Sequence, residues 1–338
     1  MSFCVPPQLL QKRIIRTALD GITEIVPLIH RSKFFIKRCS YGEVKERLGK
    51  IRVLSPKETL FYLQREPGYR QVGYIQRGWG LGRMTVFFNP REAYFPRFRF
   101  HTSQSSQAAL MALHDDMGGY PDLKVSSLEY TIDFFCESCE AVSNLFYLLR
   151  RYMFFPYAKS TFMNGGDFGG WNEPRDENAV YHINMGDIHA KIYERGGNDN
   201  GFPKRKGWPH KNVDRVRLEF TFERNFLARN HISDISDLIK DTKFYQLCSP
   251  RIQFKNFKAS SPFPKDWENY TAADKDGNIE CLMEENFKAK REGNFKNPLQ
   301  YLEDTKMLYS LKKEIRYEIR NFDNNWSGNY YATYLPML

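Results

Sequence analysis

Long apolar runs are missing from this 338-residue chain, and so is any even framework of cysteines. No stretch reaches the roughly 18 apolar residues that a membrane-spanning helix needs, so no membrane partner is expected. The opening residues, MSFCVPPQLLQKRII, lack the charged-then-apolar order of a secretory leader, and a cytoplasmic location is expected. Six cysteines fall at 4, 39, 136, 139, 248 and 281, with no spacing that suggests a disulfide scaffold. Cys136-Glu-Ser-Cys139 is a lone C-x-x-C, and neither a second one nor an H-x-x-x-H completes a zinc site. It sits where a strand gives way to a helix, which is redox-motif geometry, though two ordinary reduced thiols are the plainer reading. Internal repeats are absent. Acid is in deficit: Lys and Arg number 50 against 40 Asp and Glu, for a net charge of +10 and a pI of about 9.2. That surplus points to an anionic partner, with nucleic acid ahead of a membrane surface.

What the chain does have is concentrated between Ala179 and Glu223. Ala179 to Asn184 and Ile188 to Arg195 are β-rich runs around Met185-Gly186-Asp187, which predicts a hairpin. Arg215 to Glu223 alternates strictly, with Val216, Leu218, Phe220 and Phe222 on one side and Arg217, Glu219, Thr221 and Glu223 on the other. In Ile188 to Arg195 the polar side is His189, Lys191, Tyr193 and Arg195. A face that only meets water can carry any polar residues, whereas this one gathers a carboxylate, cations, an imidazole and a phenol. It is the candidate working surface.

The flanking chain predicts three parts: a basic module over 1–92, a core over 93–250 and an extension over 251–338. In the first, Gln8 to Leu28 has helical spacing, and Gly68 to Phe88 reads as a hairpin. Basic residues from Arg31 to Arg52 alternate with Phe34, Phe35 and Tyr41, a mixture suited to phosphate contact and base stacking. In the core, strands at Tyr94 to His101, Asp122 to Cys136 and Met153 to Phe162 alternate with helices at Ser103 to Asp116 and Ser138 to Tyr152. This order predicts an α+β fold with helices on one face of a sheet. Glu129, Thr131 and Asp133 share one side of the second strand. If that strand joins the others, Asp133 and Glu219 lie on one open face, as metal-dependent phosphoryl-transfer sites require. The alternative is plain charge pairing of Asp133 and Glu219 with Arg217 and Lys191. The Gly-rich run Phe162 to Asp176 reads as a crossing loop. Lys204, Arg205, Lys206, Trp208 and Lys211 fall in a second loop that suits a DNA strand crossing the sheet. The extension is polar to Asn297, and a long helix is expected over Pro298 to Phe322 with Lys312, Lys313, Arg316 and Arg320 outward.

The segments Ile188-His-Ala-Lys-Ile-Tyr-Glu-Arg-Gly196 and Arg215-Val-Arg-Leu-Glu-Phe220 resemble the replication initiation factors of rolling-circle plasmids and filamentous phages. Those proteins carry an R-x-Y-D-K-G strand, then an R-x-E strand and a helix, for which Ser233 to Leu247 is the counterpart here. The resemblance covers roughly residues 93–250. It implies a palm-like sheet, a bacterial host, and nicking of one origin strand by a tyrosine with a divalent metal, Mg²⁺ or Mn²⁺. The enzyme stays linked to the DNA through a 5′-phosphotyrosine, and the partners are origin DNA, single-stranded or supercoiled, and a host helicase. Lys191, Tyr193, Arg217 and Glu219 carry over by motif position, and Asp133 by its place on the sheet. Two departures stand out: Glu194-Arg195 replaces Asp-Lys, and no His-hydrophobic-His motif occurs, leaving ligation to Asp133, Glu219 and His189 or His182. Tyr245, late on the expected helix, is the first candidate nucleophile; Tyr270 is the second, and Tyr193 already lies on the front. The alternative function is a sequence-specific DNA-binding protein on the same scaffold without nicking activity. A structural or host-interaction protein of a phage is a third class.

Overall fold

The structure is a computed structural model, and it describes residues 15–36, 70–76, 82–88, 97–102, 123–155, 159–163, 180–195, 215–240, 242–257 and 302–334. The β-branched and aromatic runs form strands, the spaced leucines form helices, and the class is α+β with antiparallel pairings. The strands are β1 (Ile22–Ile36), β2 (Arg70–Gln76), β3 (Gly82–Phe88), β4 (Arg97–Thr102), β5 (Leu123–Cys136), β6 (Lys159–Met163), β7 (Val180–Asn184), β8 (Ile188–Arg195) and β9 (Arg215–Glu223). Their hydrogen-bonded order is β2-β3-β4-β1-β5-β9-β8-β7-β6, and a separate pair joins β10 (Lys255–Phe257) to β11 (Leu302–Asp304). The helices are α1 (residues 15–20), α2 (Cys139–Tyr152), α3 (Arg224–Arg229), α4 (Ile235–Lys240), α5 (Phe244–Cys248) and α6 (Tyr309–Tyr334). None of these is long and apolar enough to cross a membrane.

Two compact units divide the chain, and each is assembled from three segments. The first takes Met1–Pro27, Ile132–Glu219 and Phe244–Arg320. The second takes Leu28–Thr131, Phe220–Lys243 and Asn321–Leu338. These boundaries differ from the three consecutive parts expected from composition, because strand pairing joins segments far apart in sequence.

In the first unit α2 lies against β8. Ser138 starts the helix, its hydroxyl accepting from the Ala141 N–H at 3.2 Å. Ala141, Leu145, Leu148, Leu149 and Tyr152 then recur at helical spacing and are buried. Extended Met153 ends it, bridging to Phe254. Gly21 closes the other side: a Cβ there would meet the Ala141 Cβ at 2.5 Å and the Thr17 carbonyl at 2.8 Å. The β7–β8 hairpin forms as expected, with Gly186 at φ +80° and its N–H donating to Asn184 Oδ1 at 2.9 Å.

The second unit holds the β2–β3 hairpin and the pairing of β4 with both β3 and β1. Trp326 stacks on Phe322, Phe322 meets Tyr130 edge-on, and Trp326 Nε1 donates to the Leu238 carbonyl.

Three expected helices come out differently. The Gln8 to Leu28 spacing gives a helix only at 15–20 among the described residues, and β1 takes over from Ile22 through Pro27. Ile22, Thr23, Ile25, Val26 and Ile29 are β-branched, and that preference outweighs the leucine spacing. Ser233 to Leu247 is broken into α4 and α5, with Thr242 Oγ1 donating to the Asp237 carbonyl at the end of α4. The long C-terminal helix starts at Tyr309 rather than Pro298, because Leu302–Asp304 is drawn into pairing with Lys255–Phe257. The strand expected over Met153 to Phe162 is β6, displaced to Lys159–Met163. The Ser103 to Asp116 helix, the Gly-rich run beyond Met163, Tyr270, and Lys204, Arg205, Lys206, Trp208 and Lys211 lie outside the described residues.

Candidate active site

Strand alternation supplies the parts. On β8, Ile188, Ala190 and Ile192 are buried, while His189, Lys191 and Tyr193 are half-buried on the opposite side. On β9, Val216 and Leu218 point into the core, and Arg215, Arg217 and Glu219 share the other side. Asp133, near the end of β5, completes the group.

Arg217 is clamped to Asp133 in bidentate fashion, Nε to Oδ1 at 2.5 Å and Nη2 to Oδ2 at 2.6 Å. Arg215 reaches the same carboxylate, its Nε 3.5 Å from Oδ2, with its guanidinium over the Phe135 ring. Glu219 takes different partners: Lys191 Nζ at 2.8 Å on Oε1, and the Tyr193 hydroxyl at 3.1 Å on Oε2. The Tyr193 phenol also favours the charged form of Arg217 and so lies between the two pairs.

The electrostatics follow from burial against pairing. Burial alone would push the Glu219 carboxyl up, but Lys191, Arg217 and the Tyr193 hydroxyl bring it below its ordinary value. For Arg217 burial works against the charged form, and the Asp133 hydrogen bonds and charge outweigh it, raising its pKa.

The face was expected to be open. Instead Glu219 and Arg217 are each 4% exposed and Asp133 2% exposed. Charged side chains survive there because each is paired. The charge-pairing alternative for Asp133 and Glu219 is thus realised in geometry: Arg217 and Lys191 are their partners.

Of the expected metal ligands, Asp133 is held by two arginines and Glu219 by an ammonium and a phenol. Among the described residues, neither Asp133 nor His189 joins a cluster of three metal-type ligand atoms. As they stand, Asp133, Glu219 and His189 do not fit a divalent ion: it would have to displace a bidentate guanidinium. His30 and Glu129, which the sequence reading did not single out as ligands, do place an imidazole nitrogen and a carboxylate oxygen within 4.8 Å of each other.

Tyr245 keeps other company. It lies on α5 and accepts from Arg320 Nη2 at 2.9 Å, with the guanidinium 4.3 Å above its ring. A Ser249 hydrogen bond lowers its pKa, burial opposes this, and Arg320 and Arg316 lower it further. The tyrosine bonded to Glu219 is Tyr193. Arg215 is the site residue that the sequence reading passed over as a site residue, although a step of two back from Arg217 reaches it.

No known protein-family model matches the chain, and no curated protein matches it.

Proposed function

We propose that the chain is a DNA strand-transferase of the rolling-circle initiator kind, nicking one origin strand of a plasmid or phage through Tyr193. The observation that carries this reading is the Tyr193 hydroxyl donating to Glu219, with Lys191 and Arg217 beside it. A phenol bonded to a carboxylate and ringed by cations has what an attack on phosphorus needs: nucleophile, proton acceptor and charge for the phosphoryl oxygens. Tyr193 Oη would bond to phosphorus, its proton passing to Glu219, as the bond to the 3′-oxygen breaks. The ammonium of Lys191 would protonate that oxygen. The products are a 5′-phosphotyrosine and a free 3′-hydroxyl.

The R-x-E strand and the strand bearing Tyr193 support the same reading through their resemblance to initiators, as does the net charge of +10. A palm-like core, cytoplasmic work on origin DNA and a host helicase as partner belong to this proposal. Since Asp133 and Glu219 are engaged by cations, no step is routed through a metal, and dependence on Mg²⁺ or Mn²⁺ is a quantity to be measured. The deciding experiment incubates the protein with supercoiled DNA carrying its own origin, with each ion and with a chelator. A protein-linked 5′ end that disappears in Tyr193→Phe supports the proposal, and its absence from the wild type under every condition sinks it.

The burial of Asp133, Arg217 and Glu219 favours one competing reading, a DNA-binding protein whose charge pairs only hold the sheet. It predicts salt-sensitive DNA binding with no adduct at all.

A further inference from the structure

α6 carries two rows of residues at i, i+4, i+8 spacing, one exposed and the other running from half-buried Lys312 and Arg316 to exposed Arg320. Tyr309, Lys313 and Tyr317 form one, and Lys312, Arg316 and Arg320 the other. Residues four apart stack along one side of a helix, and these rows are neighbours on its surface. Leu311, Ile315 and Ile319 turn inward and are buried. Tyr309 is 67% exposed and Tyr317 60%. Large rings left in water at that spacing do nothing for the core.

The cation row is fixed in place. Arg316 donates to the Ser249 carbonyl at 3.2 Å and Arg320 to the Tyr245 hydroxyl at 2.9 Å. Lys312 lies 3.9 Å from Asp304, which already pairs with Lys255 at 2.8 Å. One carboxylate therefore answers two lysines. Burial lowers the Lys312 pKa, Asp304 opposes it, and the charges of Arg316 and Lys255 lower it further. Glu314 and Glu318 belong to the far flank of the tyrosine row, on the side away from Lys312, Arg316 and Arg320.

We infer that this face of α6 binds single-stranded nucleic acid, with phosphates along Lys312, Arg316 and Arg320 and bases stacked on Tyr309 and Tyr317. Exposed rings beside an ordered cation row supply the two contacts that sequence-tolerant strand binding uses. Duplex DNA fits less well, since its bases are already stacked on each other and leave no ring face for tyrosine. The inference shares with the preceding proposal only the class of partner. It requires neither nicking nor a metal.

The test measures anisotropy of labelled oligo(dT), which carries no origin, in chelator and at low salt. Inorganic polyphosphate serves as the probe without bases. The variant Tyr309→Ala/Tyr317→Ala should bind oligo(dT) at least ~10-fold more weakly while its polyphosphate affinity is unchanged. Tyr309→Phe/Tyr317→Phe should stay within about twofold of wild type, because the ring is kept. A 5-iodouracil oligonucleotide should crosslink to a peptide containing Tyr309 or Tyr317. The inference is overturned if wild type does not bind oligo(dT), if the Ala variant binds as wild type does, or if the Phe variant loses as much as the Ala variant. Absence of any protein-linked 5′ end from the wild type, with oligo(dT) binding intact, would overturn the nicking proposal and leave this one standing.

Discussion

The Tyr193 hydroxyl and the Glu219 carboxylate meet at 3.1 Å, one from β8 and the other from β9, and the same carboxylate holds Lys191 at 2.8 Å. That meeting separates two roles for the phenol, attacking group or brace. Tyr193→Phe keeps the ring and removes only the hydroxyl. The variant is expected to lose at least ~10²-fold in adduct yield, as for loss of an activated nucleophile, while oligonucleotide affinity stays within about twofold. Adduct formation on denaturing gels and anisotropy in parallel check both halves.

Asp133 and Arg217 form a buried bidentate pair, so removing one partner strands the other. Asp133→Asn should destabilise the protein by about 3–5 kcal/mol, and Asp133→Leu/Arg217→Met should recover much of that. Urea unfolding of the three proteins tests it. If Asp133→Asn unfolds at the wild-type midpoint, the pair contributes little to holding β5 and β9.

The Glu219 carboxyl is held below its ordinary value in the folded protein. A depressed folded-state pKa gives stability that is fully present above the unfolded value, about 4.3 for glutamate, and lost as pH falls through the folded value. The stability difference between wild type and Glu219→Gln should therefore be constant from neutral pH down to about 5, and then shrink with further acidification. Thermal unfolding of both proteins across that range checks it. A difference that grows on acidification would reverse the sign.

Tyr245 sits under Arg320, and a Ser249 hydrogen bond, then Arg320, hold its pKa below the ordinary value. In an ultraviolet titration of the phenols, Tyr245→Phe should remove a component that ionises ahead of the bulk, and Arg320→Met should move that component to higher pH. An unchanged titration curve in both variants would remove Tyr245 as an activated phenol.

Glycine tolerance should differ at two turns. A side chain at Gly21 meets Ala141 and the Thr17 carbonyl, whereas at Gly186 it meets open space but a positive φ. Gly21→Ala is expected to cost about 1–3 kcal/mol through overpacking. Gly186→Ala should cost about 1–2 kcal/mol through backbone strain. Denaturant midpoints measure both.

Alternation made the site strands legible. β9 runs over Arg215–Glu223 as its sequence dictates, and the hairpin at Met185 to Asp187 turns on a glycine with positive φ. What period two could not supply is cover: it separates an apolar side from a polar one, and says nothing of whether the polar side meets water. Glu219 and Arg217 alternate like exposed residues and are buried, because partners from β8 and β5 neutralise them. The choice among tyrosines was illegible for a related reason. Tyr245 follows the R-x-E strand along the chain, whereas the bond to Glu219 comes from Tyr193 through strand pairing. Helix ends were read least well, since β11 and β1 draw residues with helical spacing into strands.

The separation of 84 positions between Asp133 and Arg217 has an evolutionary consequence. A buried charge cannot drift alone without leaving its partner unsatisfied, so substitutions at 133 and 217 are tied to one another. In diverged copies of this chain the two positions should change together, by exchange of acid and base or by joint replacement with apolar residues. Tyr309 and Tyr317, which owe the core nothing, are free to vary independently of that pair.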